Sequence, residues 1–282
     1  MTPFADDPIA TWGLRAVEVI RDRPSRWTGR GVRVAMLDTG VDRAHPDLAA
    51  RVVAARSFVP GCPVDDEIGH GTHCAGTAIG FKTSAGRRYG IAYGADLYVA
   101  RILDRTARAE IATVIAGIDW ALSHDCHVIA LPIGIIDAVP SPEFDAAGRR
   151  ALDADCLMIA AAGPYWTTSV SRPADADGIM AVGAVDQWLN PMACPPPAAE
   201  VGTRGQVDIV APGARIYSAA PGAKYSTQNG TSMATAHVAG VAALWSEAES
   251  LRGRALWRRL IRSAQRLRWS ADDAGYGLVT AP

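Results

Sequence analysis

The feature that most constrains this chain is an alternation. Short, almost wholly apolar, β-rich runs are separated by longer segments of helical character. The runs include GVRVAMLDTG (31–40), ADLYVARIL (95–103), CHVIALPIG (126–134), CLMIAAAG (156–163), GIMAVGAVD (178–186) and VDIVAPG (207–213). AEIATVIAGIDWALSHD (109–125) and FDAAGRRALDAD (144–155) stand between some of them. A strand without polar alternation must be covered on both faces, so the pattern predicts an α/β fold in which helices sandwich a mostly parallel sheet. With 282 residues, 49% of them hydrophobic, one sizeable core can be buried, and no repeat divides the chain. The whole span 1–282 therefore reads as a single domain. The proline-rich NPMACPPPAAEVG (190–202) reads as an extended surface loop, because strand character resumes directly after it.

Composition excludes several classes of function. A formal charge of −1 gives no footprint for nucleic acid, whose binders carry a clustered basic surplus. The Arg-rich stretch 252–269 is the local exception, but Leu256, Leu260, Ile261 and Leu267 recur at helical spacing, which makes it a helix with a solvated basic face. No apolar run is long enough to span a bilayer, so no membrane partner is expected. The first residues, with two aspartates and no apolar segment, have no signal-peptide character, so the expected location is cytoplasmic, without signal peptide or pro-domain. Cys62, Cys74, Cys126, Cys156 and Cys194 are scattered, odd in number and lack a CxxC pair, which fits reduced thiols better than a disulfide framework or a zinc site.

In doubly wound sheets the functional residues gather where strands end and helices begin. Three candidates stand at such junctions: Asp38 closes VRVAMLD, His70 lies between glycines before a small-residue helix, and Ser232 opens an apolar helix. Alone, such an Asp is most often a turn residue and such a Ser an N-cap. Together they hold the parts for nucleophilic acyl transfer, in which an imidazole takes the proton of a serine hydroxyl and a buried carboxylate orients the imidazole.

Their flanking sequences, DTGVDRAHPDL (38–48), HGTHCAG (70–76) and GTSMATAHVAG (230–240), resemble the three signature blocks of the subtilisin-like serine proteases, in the same order Asp, His, Ser. WTGRGVRVAMLDTG, IMAVGAVD and AGYGLVTAP extend the likeness over nearly the whole chain. The resemblance implies a three-layer subtilisin-like fold with a mostly parallel seven-stranded sheet flanked by helices. It implies hydrolysis of peptide bonds in a peptide or protein substrate, with Asp38, His70 and Ser232 as the triad. It also implies a substrate cleft framed by Pro132, Ile133 and Gly134 on one side and by Ala161, Ala162 and Gly163 on the other. The Ser232 N–H would hold the oxyanion, with the Thr231 hydroxyl beside it.

The chain departs from that pattern in several places. Where the family carries AAGN, whose asparagine amide donates to the oxyanion, this chain has AAGP. Pro164 offers neither a side-chain amide nor a backbone N–H. The edge strand that pairs with bound peptide usually reads SLGG; here it is PIGI (132–135), with a ring at Pro132 that cannot donate and a branched side chain at Ile135. Ala236 replaces a proline in the helix after the nucleophile, a change with little functional meaning. The expectation is a protease of weakened or specialised activity. The alternative is a catalytically impaired relative that binds peptides or regulates a partner.

No cofactor or metal is expected. The HxxH pair His70 and His73 lacks the HExxH glutamate. Asp47 matches a position that helps bind calcium in many relatives, but the loop FKTSAGRRYG (81–90) beside it carries Lys82, Arg87 and Arg88 and no acid, so calcium is conceivable yet not predicted.

Overall fold

The computed structural model describes residues 2–21, 25–135, 141–163, 170–193 and 206–282. In chain order the elements are α1 (Trp12–Ala16), β1 (Arg33–Asp38), β2 (Val52–Ser57), α2 (His70–Ile79), β3 (Asp96–Arg101), α3 (Ile111–Ser123), β4 (Val128–Leu131) and α4 (Pro142–Asp153). They continue with β5 (Leu157–Ala161), β6 (Ile179–Val185), β7 (Pro191–Ala193), β8 (Ile209–Pro212), β9 (Ile216–Ala220), β10 (Lys224–Gln228), α5 (Thr231–Glu249), α6 (Gly253–Ser263) and α7 (Ala271–Ala274).

Every apolar run named above becomes a strand of one sheet, in the order β2-β3-β1-β4-β5-β6, with β8 also parallel to β6. These are the seven parallel strands of the expected sheet. The structure adds an eighth, β7, which returns antiparallel to β6 inside the proline-rich tract that reads as loop. The return is local: the Asp186 carboxylate accepts the amides of Trp188 and Asn190, closing the turn that brings Pro191 back beside Val185. Strands β9 and β10 pair as a separate antiparallel ribbon.

The uniform apolarity of the strands is explained by two cores. Along β1, Val34 and Met36 face one helical layer while Ala35 and Leu37 face the other. The same division separates Val128 and Ala130 from Ile129 and Leu131 in β4, and Leu157 and Ile159 from Met158 and Ala160 in β5. Helices α2 and α5 cover the first face through Ala75, Ala78, Val238 and Ala242, and α3 and α4 cover the second through Val114, Ile118, Phe144 and Ala151. Helix α6 packs Leu256 and Leu260 inward and leaves Arg254, Arg258 and Arg262 in solvent, the division expected from its spacing. No helix among the described residues is long and apolar enough to cross a membrane.

From β1 the chain builds β2 and β3 on one side, then crosses to β4 on the other. The carboxyl ends of β1 and β4 therefore border the crevice where strand order reverses, the place where such sheets bind ligands.

Candidate active site

Asp38 is the last residue of β1 and is wholly buried. The chain turns away through Gly40 at φ 108°, a left-handed conformation in which a side chain would also strike the carbonyl of Val64. Helix α2 docks against this turn because Gly71 has no side chain: a carbon added there would fall 2.2 Å from the carbonyl oxygen of Gly40. Asp66, four residues before the helix, straps the junction. Its carboxylate accepts the Gly69 and Thr72 amides and the hydroxyls of Thr39 and Thr72, while Thr39 Oγ1 accepts the Gly71 amide. Burial would raise the pKa of Asp66, but these bonds outweigh it and hold the carboxyl below its ordinary value.

This strapping places His70, the first residue of α2, on Asp38. His70 Nδ1 lies 2.8 Å from Asp38 Oδ1 and 2.9 Å from Oδ2. A carboxylate only accepts, so Nδ1–H donates and the neutral ring keeps its lone pair on Nε2. Burial opposes charging of the ring, yet the neighbouring Asp38 charge prevails and His70 titrates well above the ordinary histidine value. One turn further on, the Cys74 Sγ sits 4.0 Å from His70 Nδ1 and donates toward the Ser232 carbonyl at 3.9 Å. Burial pushes this thiol up to about 11, which makes it a packing group rather than a nucleophile.

Ser232 is the second residue of α5. The N-cap position belongs to Gly230, so Ser232 is not a helix cap. Its amide lies in the first turn, where no helical carbonyl can accept it. Its hydroxyl donates to the Pro132 carbonyl at 2.7 Å, and among the described residues no hydrogen bond joins it to His70. His70, Ser232 and residues 132–135 line one cavity of about 520 Å³. The three residues singled out from the sequence thus meet at one rim, with the nucleophile candidate turned toward the edge strand.

The remaining cleft residues fall on its two sides. Pro132 and Ile133 are buried, whereas Gly134 is exposed. Ile135 exchanges both backbone hydrogen bonds with Arg172, at 2.7 and 3.1 Å, which ties down the far end of the edge strand. Ala161, Ala162 and Gly163 are buried at the end of β5. The Thr231 hydroxyl, expected beside the oxyanion, donates instead to the Gly163 carbonyl at 3.3 Å. Pro164, with Tyr165 and Trp166, lies outside the described residues.

A model of the subtilase family matches residues 29–278. The chain belongs to the subtilase family. Subtilisin BL of Lederbergia lenta is 38% identical to it over 271 residues, 96% of each chain. Subtilisin Savinase of the same organism is 37% identical over 271 residues, again 96% of each chain. An intracellular serine protease of Paenibacillus polymyxa is 37% identical over 239 residues, 82% of this chain and 72% of that one. As a subtilase the protein is a subtilisin-like serine endopeptidase, and its substrates are peptides or proteins.

Two further positions bear on metals in this subtilase. Asp47 does not stand free for a cation: its Oδ2 accepts the hydroxyls of Tyr89 at 2.6 Å and Tyr225 at 2.9 Å. Burial and the Asp47 contact push both phenols up, so they remain donors. The Arg87 guanidinium stacks on Tyr217 at 4.2 Å, and Tyr217 stacks on Tyr225. Two hydroxyl donors and a nearby cation do not fit calcium, which needs several free oxygen ligands. His73 faces away from His70, its Nε2 bonded to the Ile216 carbonyl and its pKa lowered by burial to about 4. Among the described residues the one group with metal-ligand types and spacing is Asp38, His70 and Cys74, and its Asp38 and His70 atoms are already hydrogen-bonded to each other.

Sequence reasoning passed over Asp66, Arg108 and Ser171. Asp66 carried a signal, an aspartate just ahead of a small-residue helix. Ser171 carried none. Its side chain is wedged across the cleft floor, so that a carbon added to Gly163 would lie 2.0 Å from Ser171 Oγ and one added to Gly134 would lie 3.2 Å from Ser171 Cβ. That hydroxyl is buried and has no hydrogen-bond partner among the described residues.

Proposed function

We propose that this subtilase cleaves peptide bonds with Ser232 as nucleophile, His70 as general base and Asp38 as the carboxylate that orients it, at a rate held down by Pro164. The carrying observation is the Asp38–His70 contact at 2.8 Å in a cavity that His70 shares with Ser232. In the free protein the Ser232 hydroxyl is occupied by the Pro132 carbonyl. A peptide adding to the edge strand would offer its own N–H to that carbonyl and release the hydroxyl to turn toward Nε2 of His70. Attack on the scissile carbonyl then transfers the serine proton to His70, and His70 returns it to the leaving amine. The Ser232 amide at the start of α5 points its donor and the positive end of the helix dipole at the developing oxyanion. Residue 164, where the family has an asparagine, adds no donor, a loss worth about 2.7–4 kcal/mol in this family.

A second reading, a peptide-binding subtilase of negligible turnover, is favoured by the same Ser232–Pro132 bond, which leaves the nucleophile off its base. Fluorophosphonate labelling separates the two. Labelling of the folded wild type that vanishes in Ser232→Ala supports catalysis; an unlabelled, folded wild type supports the binding module.

A cytoplasmic place of work is supported by the four cysteines among the described residues, Cys62, Cys74, Cys126 and Cys156, which are unpaired, three of them buried. Independence from calcium is supported by the tyrosine contacts of Asp47.

A further inference from the structure

The cavity beside His70 and Ser232 has a chemical character that the peptidase reading does not use. Its walls are apolar: Leu103, Ala109, Ile133 and Ile135, with Ile68 at the rim, 40% exposed. Among the described residues its charged or titratable lining residues are two, His70 and Arg108, and none of those lining residues carries a carboxylate. Arg108 is exposed and makes no ion pair among the described residues. Asp104 lies close enough for Arg108 to help hold its carboxyl below the ordinary value, behind the larger effect of the Arg108 and Thr106 hydrogen bonds. Asp104 Oδ1 accepts the Thr106 amide, the Thr106 hydroxyl and the Arg108 amide. Those bonds, with Asp104 N–H donating to the Arg108 carbonyl at 2.9 Å, make a closed loop that fixes the backbone carrying the arginine.

From these observations we infer that Arg108 selects substrates bearing an aspartate or glutamate on the acyl side of the scissile bond, next to an apolar side chain that fills the cavity. The inference rests on the peptidase reading for the direction of the bound chain, which pairs along Pro132 to Gly134 from the reacting carbonyl outward. A cavity of about 520 Å³ is roughly 10 Å across, which an extended peptide spans in about three residues. The acid therefore belongs at the second, third or fourth residue before the cleaved bond. Arg108 lines the same cavity as the apolar side chains, so a substrate carboxylate seated there meets an opposite charge and a lysine meets a like one.

The test uses the full chain and peptides of one sequence carrying Glu, Gln or Lys at each of those three positions. Binding of fluorescently labelled peptides to Ser232→Ala, with and without Arg108→Glu, reads recognition without turnover, and cleavage by the wild type is followed in parallel. At one position Glu is expected to bind about fivefold more tightly than Gln and Lys more weakly still, with the order inverted in Arg108→Glu and compressed at 0.5 M salt. Equal binding of all peptides, or no binding at all, overturns the inference. Cleavage without preference leaves the peptidase reading standing and removes this one, whereas Glu-selective binding without cleavage does the reverse.

Discussion

His70 sits between opposing influences, burial that resists its charge and the Asp38 carboxylate that favours it, and the second prevails. Only the neutral ring can accept the serine proton, so activity must fall as pH drops through a folded-state pKa that lies above the ordinary 6.5. The acidic limb of kcat/KM is accordingly expected above pH 6.5, and Asp38→Asn should move the limb downward while cutting kcat by about 10⁴-fold. A wild-type limb at or below 6.5 would contradict the Asp38–His70 coupling. At residue 164 the missing donor is chemical rather than geometric, because no rotamer of proline supplies an N–H. Pro164→Asn should raise peptide hydrolysis by one to three orders of magnitude, chiefly in kcat, and an unchanged rate would mean that this position does not limit turnover. Ser171 adds a buried hydroxyl without a partner among the described residues where Gly134 and Gly163 approach, an uncompensated polar group that Ser171→Ala removes. Ser171→Ala should therefore raise the thermal denaturation midpoint, and an unchanged or lowered midpoint would contradict this reading.

At the scale of elements, the site depends on how a strand end is joined to a helix start. Asp66 and Thr39 bind the β1 turn to the first turn of α2, and the Gly40–Gly71 approach lets the two backbones touch. A different junction carries a cost. Asp208, just ahead of β8, accepts the Ala181 amide of β6 at 2.8 Å, but burial outweighs that bond and pushes its pKa from 3.8 up to about 6. A carboxyl whose folded pKa is raised favours the folded state at low pH. That contribution is full below 3.8, fades as pH rises through about 6, and leaves an ionised group costing at most about 3 kcal/mol at neutral pH. Asp208→Asn keeps an acceptor for the Ala181 amide without the charge, so its denaturation midpoint should exceed the wild type's at pH 7 and match it near pH 4. Equal midpoints at both pH values would contradict this reading.

Over the whole molecule, the ribbon β9–β10, the loop at 81–90 and the segment following β1 are held together by aromatic and hydrogen-bond contacts. Tyr89 and Tyr225 grip Asp47, and Arg87 lies over Tyr217 while pairing with Asp6. If these contacts serve in place of a cation, thermal midpoints in chelator and in millimolar calcium should agree within about 1 °C; a clear rise with calcium would show a bound ion. Much of the architecture was legible in the chain because a strand buried on both faces leaves a mark that no other environment leaves, an unbroken apolar run, as in VRVAML and LMIAA. Asp38, His70 and Ser232 were legible because each stands where a strand ends or a helix begins, inside a block that resembles a subtilisin-like signature. Strand β7 was not, since its three residues pair only because the Asp186 turn brings them back to β6. Local pattern by itself determined the parallel sheet and its helical cover, because burial and periodicity act within a few residues, while the resemblance of the blocks around residues 38, 70 and 232 singled out the acid, base and nucleophile candidates. Which way the Ser232 hydroxyl points, that two phenols occupy Asp47, that Ser171 fills the space between Gly134 and Gly163 and that Arg108 lines the cavity were decided only by tertiary structure. Each is a contact between residues far apart in the chain, and no property of either partner alone encodes the distance between them.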